Sequence, residues 1–174
     1  EEESLVTANT ILKNSLGTGY LEIFNRRTSL KERIRLLVDA MEEATGMQNM
    51  GEYLTTLFEI DALFLNQDRH LNNIALIRDR SRYKPCPIFD CGDSFLLDFA
   101  LYSPEIESRA YLTKAQCLPF KSRFTQTVHT AQALYGKQLE VNIDRASIDT
   151  ILDKYLCYYP KQFHFLLKER IETV

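Results

Sequence analysis

The chain has 174 residues, of which 45% are hydrophobic and 26% charged. These proportions are typical of one soluble globular domain, so we expect a single domain over residues 1–174 that buries about 70% of its unfolded surface. The formal net charge is -3, which argues against a dedicated nucleic-acid binder or a protein of anionic membranes. No apolar run approaches the roughly 18 residues of a membrane span, and no signal sequence is recognisable.

The first clear element is a helix that begins at a capping box formed by Ser29 and Glu32. Apolar residues then recur at helical spacing, and Gly46 is placed to end the helix. Asn49 and Glu52 repeat the capping pattern. Before that point the chain opens on Glu1 rather than Met, and Gly17 and Gly19 are interpreted as part of a turn.

The next helix is predicted from the segment YLTTLFEIDALFL, residues 53–65. It is apolar almost all round, which indicates a helix that is buried on most sides. A polar run from Asn66 to Asn73 follows directly. We therefore expect a rigid buried helix to present this polar run at its end.

A β-hairpin is predicted after the polar run. Ile74–Ile77 and Pro87–Phe89 are strand-like, and the polar segment between them is turn-like. If the turn is centred near Ser81 and Arg82, antiparallel pairing places Asn73 opposite Asp90. We therefore expect these two side chains to meet at the open end of the hairpin.

The rest of the chain is predicted to be mostly helical. Residues 93–113 have no clean period and indicate a loop with a short helix that starts at Ser103-Pro104-Glu105. Three helical stretches follow, at Ser122–Tyr135, Asp144–Tyr158 and Lys161–Ile171. The expected fold class is thus mainly α, a helical bundle with one small hairpin.

The cysteine pattern indicates a cytoplasmic protein and argues against a structural zinc site. No two of the four are two to four residues apart, and the three histidines are scattered, whereas a structural zinc site requires closely spaced ligand pairs. We expect reduced thiols in a cytoplasmic protein. A Cys86–Cys91 bridge is the less favoured alternative. The cysteines are Cys86, Cys91, Cys117 and Cys157.

Three side chains carry the expected chemistry. Asp68 and Asn73 are five residues apart, and Asp90 follows the hairpin in Phe-Asp-Cys-Gly. Oxygen ligands from Asn73 and Asp90 suit Mg²⁺, which takes the rest of its shell from water and phosphate. Protein kinases have this order: a catalytic-loop Asp, an Asn five residues on that binds metal, and a metal-binding Asp before Gly.

At these residues the chain resembles a known family. The patterns N-x-D-R-H-x-x-N and P-I-F-D-x-G-x-S are similar to those of HipA-like kinases, bacterial Ser/Thr protein kinases often found in toxin–antitoxin modules. The resemblance covers roughly residues 50–125. It implies a kinase C-lobe in which Asp68 is the catalytic base and Asn73 and Asp90 bind Mg²⁺ for ATP. Phosphoinositide lipid kinases share the D-R-H-x-x-N run and are the second resemblance.

The resemblance also places His70 where many protein kinases have a Lys near the transferred phosphate, so a catalytic donor role is expected for His70. Arg69 either contacts a phosphate or pairs with loop carboxylates. Cys91 replaces the Phe found between Asp and Gly in most protein kinases. The replacement argues against regulation by movement of that Phe, and it does not affect the expected metal binding.

A complete kinase also needs an N-terminal lobe with a strand Lys and a loop over the ATP phosphates. Neither feature is recognisable in this sequence. We therefore expect an N-lobe partner in the same longer chain or in another chain, a protein substrate, and an antitoxin partner. Two alternatives stay open: a non-catalytic helical interaction or regulatory module derived from a kinase C-lobe, and a metal-dependent phosphohydrolase with Asp68, His70 and Asp90 as ligands.

Overall fold

The computed structural model describes residues 3–26, 29–98, 100–103, 105–112 and 114–173. The described chain is mainly helical with small antiparallel sheets, which confirms the predicted fold class at that level. Its helices are α1 (Ala8–Leu16), α2 (Tyr20–Asn25), α3 (Leu30–Thr45), α4 (Met50–Phe64), α5 (Ser108–Leu112), α6 (Phe124–Tyr135), α7 (Arg145–Tyr155) and α8 (His164–Thr173). Its strands are β1 (Ser4–Thr7), β2 (Ala75–Asp79), β3 (Arg82–Pro85), β4 (Gln116–Cys117) and β5 (Ser122–Arg123).

Both predicted ends of α3 are confirmed. The Glu32 amide donates to the Ser29 hydroxyl at 3.2 Å, and the Ser29 amide donates to the Glu32 carboxylate at 3.4 Å. Gly46 adopts the left-handed conformation, with φ 73°, that lets the chain leave a helix. Local capping signals alone therefore define this helix.

Helix α4 is buried on most sides, as its composition predicts. It packs closely on α6, because a Cβ atom at Gly51 would lie only 2.3 Å from the Tyr135 ring. Its N-terminal cap differs from the prediction: the Asn49 side chain makes no capping bond, and the Met50 amide donates to Glu42 at 3.1 Å instead. The most deeply buried apolar residues of α4 are Met50, Leu54, Leu57 and Phe58.

The hairpin is present, but its predicted register is wrong. Asp79 pairs with Arg82, so the turn lies at Arg80 and Ser81, one residue earlier than predicted. Arg80 takes the left-handed conformation, with φ 54°, that this tight turn requires. Strand β3 is Arg82–Pro85, so the predicted strand Pro87–Phe89 is wrong and those residues are irregular. Asn73 and Asp90 are consequently not cross-strand partners.

The N-terminal elements were not predicted. Strand β1 pairs antiparallel with β2 to give the sheet order β1-β2-β3, and the first two helices follow it. Gly17 and Gly19 flank the turn between α1 and α2, in agreement with their interpretation as turn residues. The largest core cluster is built from α1 to α4, the base of β2, Phe120 and one residue of α6.

The C-terminal half agrees with the prediction except at two helix starts and in one unpredicted strand pair. Strands β4 and β5 pair antiparallel, so α6 begins at Phe124 rather than at Ser122. Helix α5 begins at Ser108 rather than Ser103, and Pro104 lies outside the described residues. The Ser103 hydroxyl does accept a bond from the Glu105 amide at 3.3 Å, but the chain turns there without forming a helix. The three later stretches are confirmed, as α6, as α7 with the 3₁₀ turn Leu156–Tyr158, and as the 3₁₀ turn Lys161–Phe163 with α8.

All four cysteines are free thiols, so the alternative Cys86–Cys91 bridge is not formed. Cys86 and Cys117 are buried, whereas Cys91 and Cys157 are exposed. Across the described ranges, no helix combines the length and the apolar character needed to cross a bilayer.

Candidate active site

The polar run begins where α4 ends, and a buried carboxylate fixes its first residue. Leu65 leaves the helix in the left-handed conformation, with φ 54°. The Asn66 amide then donates to the Asp61 carbonyl at 2.8 Å, and its side-chain amide donates to the Asp61 carboxylate at 2.8 Å. Because Asp61 lies inside the last turns of α4, the loop starts from a fixed point in the core.

Arg69 is completely buried and lies at the centre of this loop. Its Nε donates to Asp61 Oδ2 at 2.9 Å and its Nη2 to Asp61 Oδ1 at 2.8 Å, a bidentate pair. Burial acts to lower the pKa of Arg69, but the hydrogen bonds and charge of Asp61, with a smaller contribution from Cys91, raise it above its usual value. The predicted roles for Arg69 are therefore corrected: its carboxylate partner belongs to α4, not to the loop.

The same guanidinium joins the polar loop to the segment after the hairpin. Arg69 Nη1 donates to the Asn73 carbonyl at 2.9 Å and to the Phe89 carbonyl at 2.7 Å. Two oxygens that share one nitrogen lie within about 6 Å of each other. Arg69 Nη2 also lies 3.4 Å from the Cys91 sulfur. Arg69 thus brings Asn73 close to the residues that flank Asp90, which cross-strand pairing was wrongly predicted to do.

Asp68 is held by its backbone, and its carboxylate is left accessible. The Asn73 side-chain amide donates to the Asp68 carbonyl at 2.9 Å, and the His70 amide donates to the same carbonyl at 2.7 Å. The side chain of Asp68 is 46% exposed, and His70 Nε2 lies 3.7 Å from its Oδ2 atom. The loop therefore fixes the position of Asp68 and leaves its carboxylate open to a substrate.

His70 lies beside Asp68 with one unsatisfied nitrogen. Its side chain is 41% exposed, yet Nδ1 is buried and has no hydrogen-bond partner among the described residues. A buried polar atom without a partner costs free energy, which functional sites often retain. His70 therefore has both an exposed edge and an unused donor or acceptor next to the candidate catalytic carboxylate.

Asp90 is exposed and has a strained backbone. Its φ is 54°, a left-handed conformation that Asp tolerates better than most residues. In the described part of the chain its carboxylate makes no hydrogen bond or ion pair. Such outliers concentrate at ligand-binding and catalytic sites. The conformation is fixed on one side by the Phe89 carbonyl, which Arg69 holds.

A further carboxylate, Asp93, was missed at the sequence level. Burial, and then the charges of Asp68 and Asp98, raise the pKa of the Asp93 carboxyl above its usual value. The Asp93 carbonyl also accepts from the Gln67 amide at 3.3 Å, which ties it to the polar loop. The available signal was the second acid in Asp90-Cys-Gly-Asp93. Negative charge therefore accumulates around Asp68.

The donor set can be tested for its fit to Mg²⁺. The Nδ2 atom of Asn73 is committed to the Asp68 carbonyl, and its Oδ1 accepts no bond from the described residues. One amide oxygen and the free Asp90 carboxylate are the hard oxygen ligands that Mg²⁺ prefers, and the excess of acid favours a cation. No group of three or more His, Cys, Asp or Glu suited to a metal is found within residues 3–173 as described. These two residues therefore suit a Mg²⁺ ion that takes the rest of its ligands from water and phosphate.

Asp61 is the other residue that sequence reasoning missed. It is 2% exposed and compensates the buried Arg69 charge. The available indication was an acid within a mostly apolar helical run, since a buried carboxylate needs hydrogen-bond or cationic partners. Glu59 in the same run is also buried, and it accepts bonds from Gln132, Gln138 and Leu139 instead of a cation.

Comparison with protein-family models, with curated proteins and with solved structures gives no match to this chain.

Proposed function

We propose that this chain is the catalytic lobe of a HipA-like Ser/Thr protein kinase, which transfers the γ-phosphate of ATP to a protein hydroxyl. The observation that carries the proposal is the contact of one Arg69 nitrogen with the carbonyls of both Asn73 and Phe89. It joins the loop of Asp68 and Asn73 to the segment of Asp90, and kinase chemistry needs these three residues together.

In this proposal Asp68 accepts a hydrogen bond from the substrate hydroxyl and receives its proton as phosphate is transferred. Two features of Asp68 support that role: its carboxylate is accessible, and its backbone carbonyl accepts two hydrogen bonds that fix its position. Phosphoryl transfer depends mainly on positioning and on charge neutralisation, so a fixed carboxylate beside the hydroxyl supplies much of what the protein must provide.

Asn73 Oδ1 and the Asp90 carboxylate would hold Mg²⁺. When bound, Mg²⁺ neutralises phosphate charge. His70 would donate to the transferred phosphate from the side next to Asp68, and its 41% exposed side chain leaves room for that contact. Asp68, His70 and Asp90 expose their side chains to a ligand. Asn73 is only 5% exposed and offers its Oδ1, which accepts no bond from the described residues.

The proposal includes partners and a location. An N-lobe that holds ATP is supplied by the same longer chain or by another chain. A protein substrate and an antitoxin are the further partners, and the protein acts in the cytoplasm without direct contact with nucleic acid or membrane.

The test uses two measurements. Calorimetry with Mg²⁺ and ATP on the longest polypeptide that contains this chain compares the wild type with Asp90→Asn, which should bind Mg²⁺-ATP about tenfold more weakly, since one charged ligand is lost. Phosphate transfer from labelled ATP to casein, measured in the longest polypeptide that contains this chain, should fall at least about 100-fold in Asp68→Asn.

The matched control is Asp79→Asn, which removes an exposed carboxylate on the hairpin. It should leave both measurements unchanged. Equal transfer rates for the wild type and Asp68→Asn would overturn the role of Asp68.

A second candidate, the non-catalytic helical module, is favoured by one observation. Gly17 ends α1 and Gly19 begins α2, so these glycines connect two helices rather than form a loop over phosphates. Absence of Mg²⁺-ATP binding by the longest polypeptide would favour this candidate over the kinase.

A further inference from the structure

A basic groove lies between the start of α3 and the start of α6. Its volume is about 700 Å³, and every charged side chain that lines it is a Lys or an Arg. This is unexpected in a chain with a net charge of -3. The positively charged or titratable lining residues are Arg33, Lys121, Arg123 and His129.

These cations are not neutralised by the protein. In the described ranges, Arg33, Lys121 and Arg123 form no ion pair. Arg33 Nη1 donates to the Phe120 carbonyl at 2.7 Å, and its Nε is buried without a partner. Helix α6 has no side-chain cap at its N-terminus, so its first amides add partial positive charge. The groove therefore presents an uncompensated positive field.

An apolar groove adjoins the basic one. Its volume is about 370 Å³, and it shares Arg33 and Lys121 with the basic groove. His70 also lines this groove, and its Nε2 lies 3.7 Å from the Asp68 carboxylate. A continuous surface therefore leads from Asp68 through an apolar section to the cations. The apolar section is formed by Leu21, Phe24, Leu71, Pro119 and Phe120.

We infer that these two grooves bind an acidic segment of the protein substrate. Acidic side chains of the segment occupy the basic groove, apolar side chains contact the exposed Leu21 and the half-buried Pro119, and a hydroxyl residue reaches Asp68. The contact of the hydroxyl residue with Asp68 rests on the proposed function, whereas the binding of an acidic segment does not. Charge complementarity selects an acidic partner, and the adjoining apolar section favours a peptide over a nucleic acid, whose backbone is charged throughout.

The test measures binding without nucleotide. A fluorescein-labelled peptide with a run of glutamates beside leucine and serine is titrated with the full chain, and anisotropy is recorded. A second peptide has glutamine in place of glutamate. We expect at least about tenfold tighter binding of the glutamate peptide, and weaker binding as salt screens the charges.

The variant Arg123→Glu should weaken binding of the glutamate peptide about tenfold. Arg123 is exposed and precedes α6, where a carboxylate is compatible with the helix dipole, so the fold should be retained. The matched control, Arg82→Glu, makes the same charge change on the exposed hairpin and should alter binding less than about twofold.

Three results would overturn the inference: equal binding of the two peptides, equal loss in the two variants, or tighter binding of a single-stranded oligonucleotide than of the glutamate peptide. Peptide binding is measured without nucleotide and does not depend on phosphate transfer. A failed kinase test with an intact peptide result would therefore reject the proposed function alone, and the reverse outcome would reject only the acidic docking site.

Discussion

Arg69 and Arg170 are at the centres of two networks, and their exposed fractions are 0% and 1%. Arg69 is paired with Asp61, eight residues earlier in the chain, and its pKa is raised. Arg170, in α8, donates to the carbonyls of Phe95 and Leu96 across 75 and 74 residues, and burial lowers its pKa. Both side chains hold irregular segments through backbone carbonyls.

The two networks differ in how far along the chain the partners of each arginine are. The Arg69 network is completed by α4, by the loop that directly follows α4, and by Phe89 and Cys91 after the hairpin, which are 20 and 22 residues from Arg69. The Arg170 network forms only when α8 docks onto Phe95, Leu96 and Ser108. The Ser108 hydroxyl accepts a bond from Arg170 Nε at 3.3 Å. We infer that the candidate catalytic loop belongs to the stable core, and that the segment after it depends on the C-terminal helix.

The largest effect is expected from Arg69→Met. It leaves the Asp61 carboxylate buried without its cation, which costs about 3–5 kcal/mol of the free energy of unfolding. Urea denaturation would measure the loss. The double variant Asp61→Leu with Arg69→Met should recover most of it, because no charge then stays buried. A loss below about 1 kcal/mol in the single variant would contradict the proposed importance of this pair.

A smaller effect is expected from Arg170→Met, about 2 kcal/mol, because the carbonyls of Phe95 and Leu96 lose a donor. Hydrogen exchange should speed up mainly over residues 95–108 and α8. Equal acceleration in α4 would show that the two networks are one cooperative unit and would remove the distinction drawn above.

The smallest of the three effects concerns Tyr53, an uncharged counterpart of the two arginines. Its hydroxyl lies 2.9 Å from the Ala75 carbonyl and 3.1 Å from the Cys86 carbonyl at the base of the hairpin. We expect Tyr53→Phe to cost about 1 kcal/mol at neutral pH, because these carbonyls lose a donor.

Tyr53 also predicts a pH dependence. Burial raises the pKa of Tyr53 to about 12, whereas the ordinary value is 10.0. The folded state binds this proton more tightly than the unfolded state, so its stabilising contribution is complete below pH 10 and is lost as pH rises through 12. Urea denaturation across this range should show a steeper decline for the wild type than for Tyr53→Phe. Parallel declines would contradict the assignment.

Much of the fold could be predicted because its signals are local. The bonds of Ser29 and Glu32 and the left-handed Gly46 depend on a few neighbouring residues. Strand β1 could not be predicted, because its exposed residues become a strand only by pairing with β2, about 70 residues away. The hairpin register was predicted wrongly because Arg80 occupies the turn position with positive φ. A Gly or Asn at that position would have indicated the turn, whereas an Arg does not.

The candidate site shows the same division. Asp68, His70, Asn73 and Asp90 could be selected from their order and spacing. The means by which they are brought together could not, because the sequence pattern does not reveal that Arg69 turns inward to Asp61. To predict a buried ion pair, one must know from the three-dimensional structure which charges are excluded from water.

The sharing of one Arg69 nitrogen by the carbonyls of Asn73 and Phe89 has a mechanical consequence. The two loops are attached to a single planar group, which is itself fixed to α4 by Asp61. Neither loop can shift far without breaking one of these hydrogen bonds, so we expect the two loops to move together when a ligand binds. Motion that adapts this surface to its ligands must therefore come from side-chain rotation or from the segments outside these two loops.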